Sequence, residues 1–521
     1  MFDVLLRGGW VVDGTGAPPW RADLALTGDR IASIGQLAEA SAPVEIDAAG
    51  RYLMPGFIDT HIHADASAAT SDVQLAALRQ GVTTLLLGQD GVSFAPASAA
   101  TIQAVSQYFG PVNGPCPAEL AAGCSVASLL DFYDRAGALN VGYLAPAGTI
   151  RAEVMGYDPA PATPGQVAAM RGLAEAALED GALGLSTGLD YEPGRFAGPA
   201  EIAALCAPVA AAGAVYVSHI RGYEADAWRG MSELTQIARD SGAPAHVSHY
   251  HGPANMLAGL LDAGRAEGLD LTFDSYPYQR GSSILAMVVL PHELRAGEPG
   301  QLRERLAEPA VRAGLARDWF PAVADVLDRV TLAYIGSSDW AWAEGMTLPA
   351  AARQAGLAAG ELVCELLAAS DTGAGCVFGH PPTNTEADRR ALLRHEAHMA
   401  GSDGILLGRA PHPRGWGTFA RLLGRHTREL GDWSWAQAAL HLAGHPARRF
   451  GLAGRGLLRP GYVADVVLLD PAAVTDTADY ERPRSLAVGV DHVLVGGQLA
   501  LRDGQLTGAR PGRALRRGQE T

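Results

Sequence analysis

The stretch FIDTHIH at residues 57–63 is a short apolar run closed by two histidines, His61 and His63. On a strand, positions i and i+2 leave the same face, so both imidazoles can reach one ion. A lone pair of this kind is weak evidence. Seven further runs have the same texture: TTLLLGQD, NVGYLAP, ALGLSTGL, VYVSHI, PAHVSHY, LTFDSYPY and HMAGSD. Between them lie Ala/Leu-rich helical segments such as VQLAALRQG, GQVAAMRGLAEAALEDG and MSELTQIARDSG, with Gly at or just past their ends as helix stops. Strands alternating with crossover helices predict an α/β fold, a TIM-type (β/α)8 barrel.

The later strands end in ligand-type residues: Asp90 on the second, His219 on the fifth, His249 on the sixth and Asp403 on the eighth. Taken alone, each of these histidines is better read as a satisfied core or rim residue; for Asp90, followed by Gly91, a turn is the alternative to the favoured ligand role. Together they sit where the strands of such a barrel converge on one mouth, the end that carries active sites. Chance rarely aligns histidines and carboxylates in this way.

Outward from the barrel, residues 1–54 read as short strands with Gly turns, and residues 451–521 repeat that texture in GYVADVVLLD, VDHVLVGGQLALRDG and the closing ARPGR. One small β-sandwich built from both termini is expected, enclosing a barrel over residues 55–450. The gap between the seventh and eighth strands is the longest. It predicts a helical insertion around residues 284–395, carrying Trp319, Trp340 and Trp342, near the barrel mouth.

Composition narrows the function classes. In 521 residues the net charge is -16 and 48% are hydrophobic, which fits a packed globular protein with no attraction for nucleic acid or an anionic membrane surface. The opening run, Met1 to Val12, lacks the pattern of a signal peptide. The longest apolar stretch, near Leu205 to Val217, is too short for a bilayer. Five cysteines, an odd number with no C-x-x-C pair, suggest reduced thiols and a cytoplasmic location. All 40 basic residues are arginine.

Across PGFIDTHIHAD, GVTTLLLGQDG, GALGLSTGLDYEPGRF, YVSHIRG, VSHYHG, DSYPYQRGSS, GSDG, HPRGWGTFARLLG, HPARRFGL, RGLLRPGYVADVVLLDP and TGARPGR, the chain resembles the amidohydrolase superfamily, in its N-acyl-D-amino-acid deacylase (D-aminoacylase) branch. The resemblance implies a tight metal position at Asp90, His219 and His249, and a second, weaker or empty one at His61, His63 and Asp403. Two departures stand out. Many superfamily members bridge two metals with a carbamylated lysine, which a chain without lysine cannot form. The deacylase branch usually reads G-N-C-G where this chain has Gly88, Gln89, Asp90 and Gly91, so Asp90 is the candidate replacement for a cysteine ligand. Zn2+ is the expected cofactor, as one tight ion or two, with Mn2+ or Co2+ as alternatives for a harder ligand set.

An ion here would bring the pKa of a bound water to about 7 and polarise a scissile carbonyl. Asp403 would take the water's proton and pass it to the leaving amine. The resemblance implies that Arg414 in HPRGWGTF grips the substrate carboxylate and that Tyr278 helps, while Tyr191 is expected to face the metal and stabilise the oxyanion. His251 stands where the branch commonly has lysine. With Arg221 and Arg280 it bears on the side-chain preference, although surface ion pairing explains those arginines equally well. The expected partner is a small N-acyl amino acid, and the sequence does not set the oligomeric state. A cyclic-amide or dipeptide hydrolase of the hydantoinase, dihydroorotase or isoaspartyl-dipeptidase type is disfavoured by the missing lysine. A non-catalytic barrel scaffold is disfavoured by the intact ligand set.

Overall fold

The computed structural model describes residues 2–370 and 373–519. Eight parallel strands form the central barrel: Phe57–Asp59, Val82–Leu87, Asn140–Pro146, Gly184–Gly188, Val215–His219, Ala245–Val247, Leu271–Ser275 and His398–Ala400. Each overlaps one of the eight runs picked out above, the second strand starting one residue earlier, at Val82. The second and third are buried at every position, because helices cover their outer faces. Between the first and eighth strands the backbone N–H of Thr60 donates to the carbonyl of Ala400, and just above, Ile62–His63 pairs in parallel with Gly404–Ile405.

The helices start and stop where local chemistry dictates. Thr163 and Gln166 form a reciprocal cap at the head of Pro164–Glu179, and Gly242, with φ 74°, ends Ala227–Ser241 in the left-handed region. Ile58, Leu86, Leu144, Val217 and Met399, from five different strands, form a buried cluster with Phe450 and Leu452. That apolar fill is what a barrel axis requires, and it leaves the polar chemistry to the opposite end.

Strands from both ends of the chain share a second sheet. Val4–Val11, Trp20–Thr27, Arg30–Gly35, Val44–Asp47 and Tyr52–Pro55 are joined by Val466–Leu469, Val490–Val495, Gln498–Arg502 and Gln505–Leu506. The seam is the antiparallel pairing of Tyr52–Pro55 with Val466–Leu469. The closing ARPGR departs from expectation, since it is not a strand of this sheet. It carries the chain to the barrel instead, where Ala514–Leu515 pairs with Asn140–Pro146.

The insertion is not purely helical. Arg280–Ile284, Ala374–Gly379 and Val330–Ile335 form a three-stranded antiparallel sheet, with helices packed over a core that includes Leu285, Val289, Leu332 and Leu362. Its strands pair only across long sequence separations, so no local period announces them. The unit begins at Arg280 and leans over the barrel mouth.

Candidate metal centre

Asp90 stands at the centre of four histidines. Its Oδ1 lies 3.5 Å from His61 Nε2 and 3.6 Å from His249 Nε2, and its Oδ2 lies 3.5 Å from His63 Nε2 and 3.7 Å from His219 Nδ1. Asp403 Oδ1 adds a second carboxylate oxygen, 3.4 Å from His63 Nε2 and 3.7 Å from His61 Nε2. Two ligands on a tetrahedral ion with bonds of about 2.0–2.1 Å stand about 3.3–3.5 Å apart. The observed separations are long for hydrogen bonds and suited to shared coordination. His61, His63 and Asp403 form one potential ligand group, and His61, Asp90 and His249 another.

Asp90 stands in the tight turn Gln89–Gly91, as the Asp-Gly pair suggests, with left-handed backbone, φ 55°. Its carboxylate is still turned in among the four histidines. Glycine on either side is obligatory, because a Cβ on Gly88 would stand 2.2 Å from the Leu144 carbonyl oxygen and one on Gly91 would stand 2.7 Å from the Gly188 nitrogen. His249 (φ 35°) and Asp403 (φ 51°) also hold left-handed backbone, which side chains other than glycine adopt at a cost of order 1–3 kcal/mol.

Three of the four rings have a partner behind them. His63 Nδ1 is 3.1 Å from Asn113 Oδ1, His219 Nε2 is 3.3 Å from Asp190 Oδ2, and His61 Nδ1 faces Asp274 Oδ2 at 3.7 Å. The second oxygen of Asp274 accepts from the backbone N–H of His249 at 2.8 Å, so one buried carboxylate faces the His61 ring and holds the His249 backbone. Partners of this kind fix the ring nitrogen that faces a metal. Sequence reading missed all three. Asp274 and Asp190 lie inside the quoted runs LTFDSYPY and ALGLSTGLDYEPGRF, at a strand and just past a strand end, so a systematic check of every strand terminus would have raised them. Asn113 sits at the end of the helix Ala99–Asn113 and carries no local signal.

Electrostatics point the same way. Burial alone would raise Asp90, but His61, His219, His249 and His63 hold its carboxyl well below the usual range. Burial lowers His63 and His219, yet the surrounding carboxylates raise them to about 10 and about 9. The carboxylates therefore demand positive charge at this spot, and a divalent ion meets that demand while the imidazoles stay neutral. His61 Nε2 and Asp90 Oδ1 are buried with no hydrogen-bond partner, so these residues fit a metal.

The centre opens into a cavity of about 420 Å³, lined by Tyr191, His251, Tyr276 and Ser283 and roofed by Met287, Val288, Val326 and Phe378 from the insertion. Tyr191 presents its hydroxyl 2.7 Å from that of Ser283, with its ring against His219. Arg414 is fully buried behind the wall. Its Nη1 is 2.8 Å from Asp403 Oδ2, its Nη2 donates to the Ser282 carbonyl, and its guanidinium covers the Tyr276 ring.

Besides Arg414, which the sequence put on the substrate carboxylate, three expected substrate contacts are not on this wall. Tyr278 packs against Arg421 and His412, and Tyr276, two residues earlier, faces the cavity instead. Arg221 is consumed by Glu233 and by the carbonyls of Leu189, Arg195 and Ala197, which makes it a loop brace. Arg280 is exposed and stacks on Tyr480. Nearness in sequence to a motif did not give the direction of these side chains.

Comparison with known proteins agrees with this geometry. A family model described as amidohydrolase family matches residues 44–500. D-aminoacylase of Alcaligenes xylosoxydans xylosoxydans is 34% identical over 99% of this chain and 98% of its own length. N-acyl-D-glutamate deacylase of the same organism is 35% identical, covering 99% and 96%. Among solved structures, N-acyl-D-glutamate deacylase from Bordetella bronchiseptica, complexed with zinc and a phosphonate mimic of the tetrahedral intermediate, superposes with TM-score 0.84 at 31% identity, covering 99% of each chain. A D-aminoacylase structure described as having a binuclear metal centre gives TM-score 0.82 at 31% identity, covering 99% and 100%. With metal-suited ligands at one end of a barrel and kinship along its whole length, this chain belongs to the amidohydrolase family.

Proposed function

We propose that this protein hydrolyses the amide bond of N-acyl-D-amino acids, using zinc held among His61, His63, Asp90, His219 and His249. The observation that carries the reading is Asp403. One of its oxygens is tied to Arg414, and the other is aimed at the same point as the His61 and His63 nitrogens. When bound, a divalent ion there acidifies a water and polarises the scissile carbonyl.

The chain's own residues do the rest. Burial alone would raise Asp403, but Arg414, His249 and His63 lower it, so the carboxylate is ionised at neutral pH and ready to accept a proton. Because Oδ2 is engaged by Arg414, the proton arrives at Oδ1. From there it passes to the departing amine, which leaves poorly without it. The Tyr191 hydroxyl, on the wall of the same cavity, donates to the developing oxyanion. Met287, Val288, Val326 and Phe378 offer an apolar wall to the acyl group or to the amino-acid side chain. With Arg221 and Arg280 turned away, nothing they supply favours an acidic side chain. His251 stays on the wall, and Arg414 acts on the substrate through Asp403.

The D configuration comes from the named relatives. The five cysteines are unpaired, as suits a cytoplasmic protein, and among the described residues no helix is long and apolar enough to cross a membrane. The test is metal analysis together with assay of N-acetyl-D- and N-acetyl-L-amino acids. Release of free D-amino acid by the zinc-loaded protein is expected. Turnover of the L series alone, or of cyclic amides alone, would overturn the reading.

A further inference from the structure

A second convergence of ligating atoms lies on the cavity wall, apart from the ring around Asp90. Glu224 follows the fifth barrel strand, His251 follows the sixth, and His380 follows the insertion strand Ala374–Gly379. One carboxylate oxygen and two imidazole nitrogens from these residues lie within 4.8 Å of one another. Glu224 Oε1 is 3.6 Å from His251 Nε2 and 3.4 Å from His380 Nδ1. These are again the separations of atoms that share an ion, about 3.3–3.5 Å for a tetrahedral site.

The hydrogen-bond pattern leaves the cluster short of positive charge. His251 Nδ1 is 2.6 Å from the His249 carbonyl oxygen, which can only accept, so Nδ1 carries the proton and Nε2 turns a lone pair toward the Glu224 carboxylate. Such a contact repels unless a cation stands between the two. His380 is nine-tenths buried and its ring centroid lies 4.3 Å from that of His251, yet its Nε2 has no hydrogen-bond partner. Glu224 Oε2 is likewise buried without one. Asn384 donates to Glu224 Oε1 at 2.9 Å and fixes that carboxylate in place. Arg329, on the same wall, does not supply the charge, because Asp325 and the Gly379 carbonyl hold its guanidinium.

We propose that Glu224, His251 and His380 form a further divalent-cation site, of the zinc class, separate from the ring around Asp90. Two imidazoles and one carboxylate leave a coordination position open. All three residues line the cavity, so the open position faces the bound molecule and receives an anionic group from it, a carboxylate above all.

The experiment is a zinc inventory. Metal-stripped protein is reloaded with Zn2+, freed of excess by gel filtration and assayed by mass spectrometry for zinc per chain. Wild type is expected to hold one equivalent more than Glu224→Gln and one more than His380→Ala. The double variant Asp90→Ala/Glu224→Gln is expected to hold one less than Asp90→Ala alone, which separates this site from the main centre. Glu224→Gln is nearly isosteric, and circular dichroism checks that it folds. Crystals of the zinc-loaded wild type should show an anomalous peak between the three side chains. Equal zinc content in wild type and both single variants, or a map without that peak, would overturn the proposal.

Discussion

Arg414 Nη1 lies 2.8 Å from Asp403 Oδ2, and both side chains are buried. The pair fixes which oxygen of Asp403 is left for proton transfer, and it keeps that carboxyl ionised. Replacing Arg414 by Met leaves an uncompensated buried charge, a loss of about 3–5 kcal/mol. A clear fall in the thermal midpoint is expected, together with a drop in kcat of about 10–100-fold. Arg414→Lys should rescue only in part, since a point charge cannot reproduce the fork. Wild-type stability in Arg414→Met would show that the pair is not structural.

Asp403→Asn keeps the shape and removes the proton acceptor. Zinc content should stay near wild type while kcat falls by about 100–10,000-fold. Undiminished turnover would place the proton carrier elsewhere.

Asp90→Ala removes the carboxylate that faces all four histidines. Loss of the zinc that this ring holds, and of turnover, is expected from metal analysis and assay. A variant whose ring keeps its zinc would exclude Asp90 as a ligand.

Asp274→Asn tests the support behind the rings. It weakens the acceptor facing His61 and His246 and the one that takes the His249 backbone proton, with an expected loss of about 10–100-fold in metal affinity. Competition with a chelator reads this directly. Unchanged affinity would reduce Asp274 to a packing role.

Among the described residues, no cysteine lines the metal cavity. Burial pushes the Cys116 thiol up to about 12 and the Cys124 and Cys364 thiols up to about 11, and it raises Cys206 and Cys376 as well. Thiolates are therefore scarce at neutral pH. Iodoacetamide at pH 7 should leave zinc content and activity unchanged, and metal loss on alkylation would point to a thiolate ligand.

The barrel was legible because its evidence is local. Each strand is a short apolar run, and each of His61, His63, His219 and His249 stands at or just past a strand end, so period and position suffice. The partner behind His63 was not, because Asn113 lies at a helix end and acquires meaning only through its 3.1 Å approach to that ring across the fold. Tyr278 and Tyr276 show a related limit. They are two residues apart at the end of one strand, where the chain bends away from regular alternation, and only Tyr276 stays on the cavity wall. The insertion's small sheet escaped notice because Arg280–Ile284 finds its neighbour, Ala374–Gly379, far along the chain.

The seam between Tyr52–Pro55 and Val466–Leu469 governs how the molecule can be made. On the ribosome the opening strands must wait for Gln505–Leu506 before their sheet is complete, and Ala514–Leu515 is stitched to the barrel later still. A nascent chain halted short of those residues would expose unpaired strand edges, a state prone to aggregate. Closure of this sheet thus waits on strands made more than 400 residues after the ones they pair with.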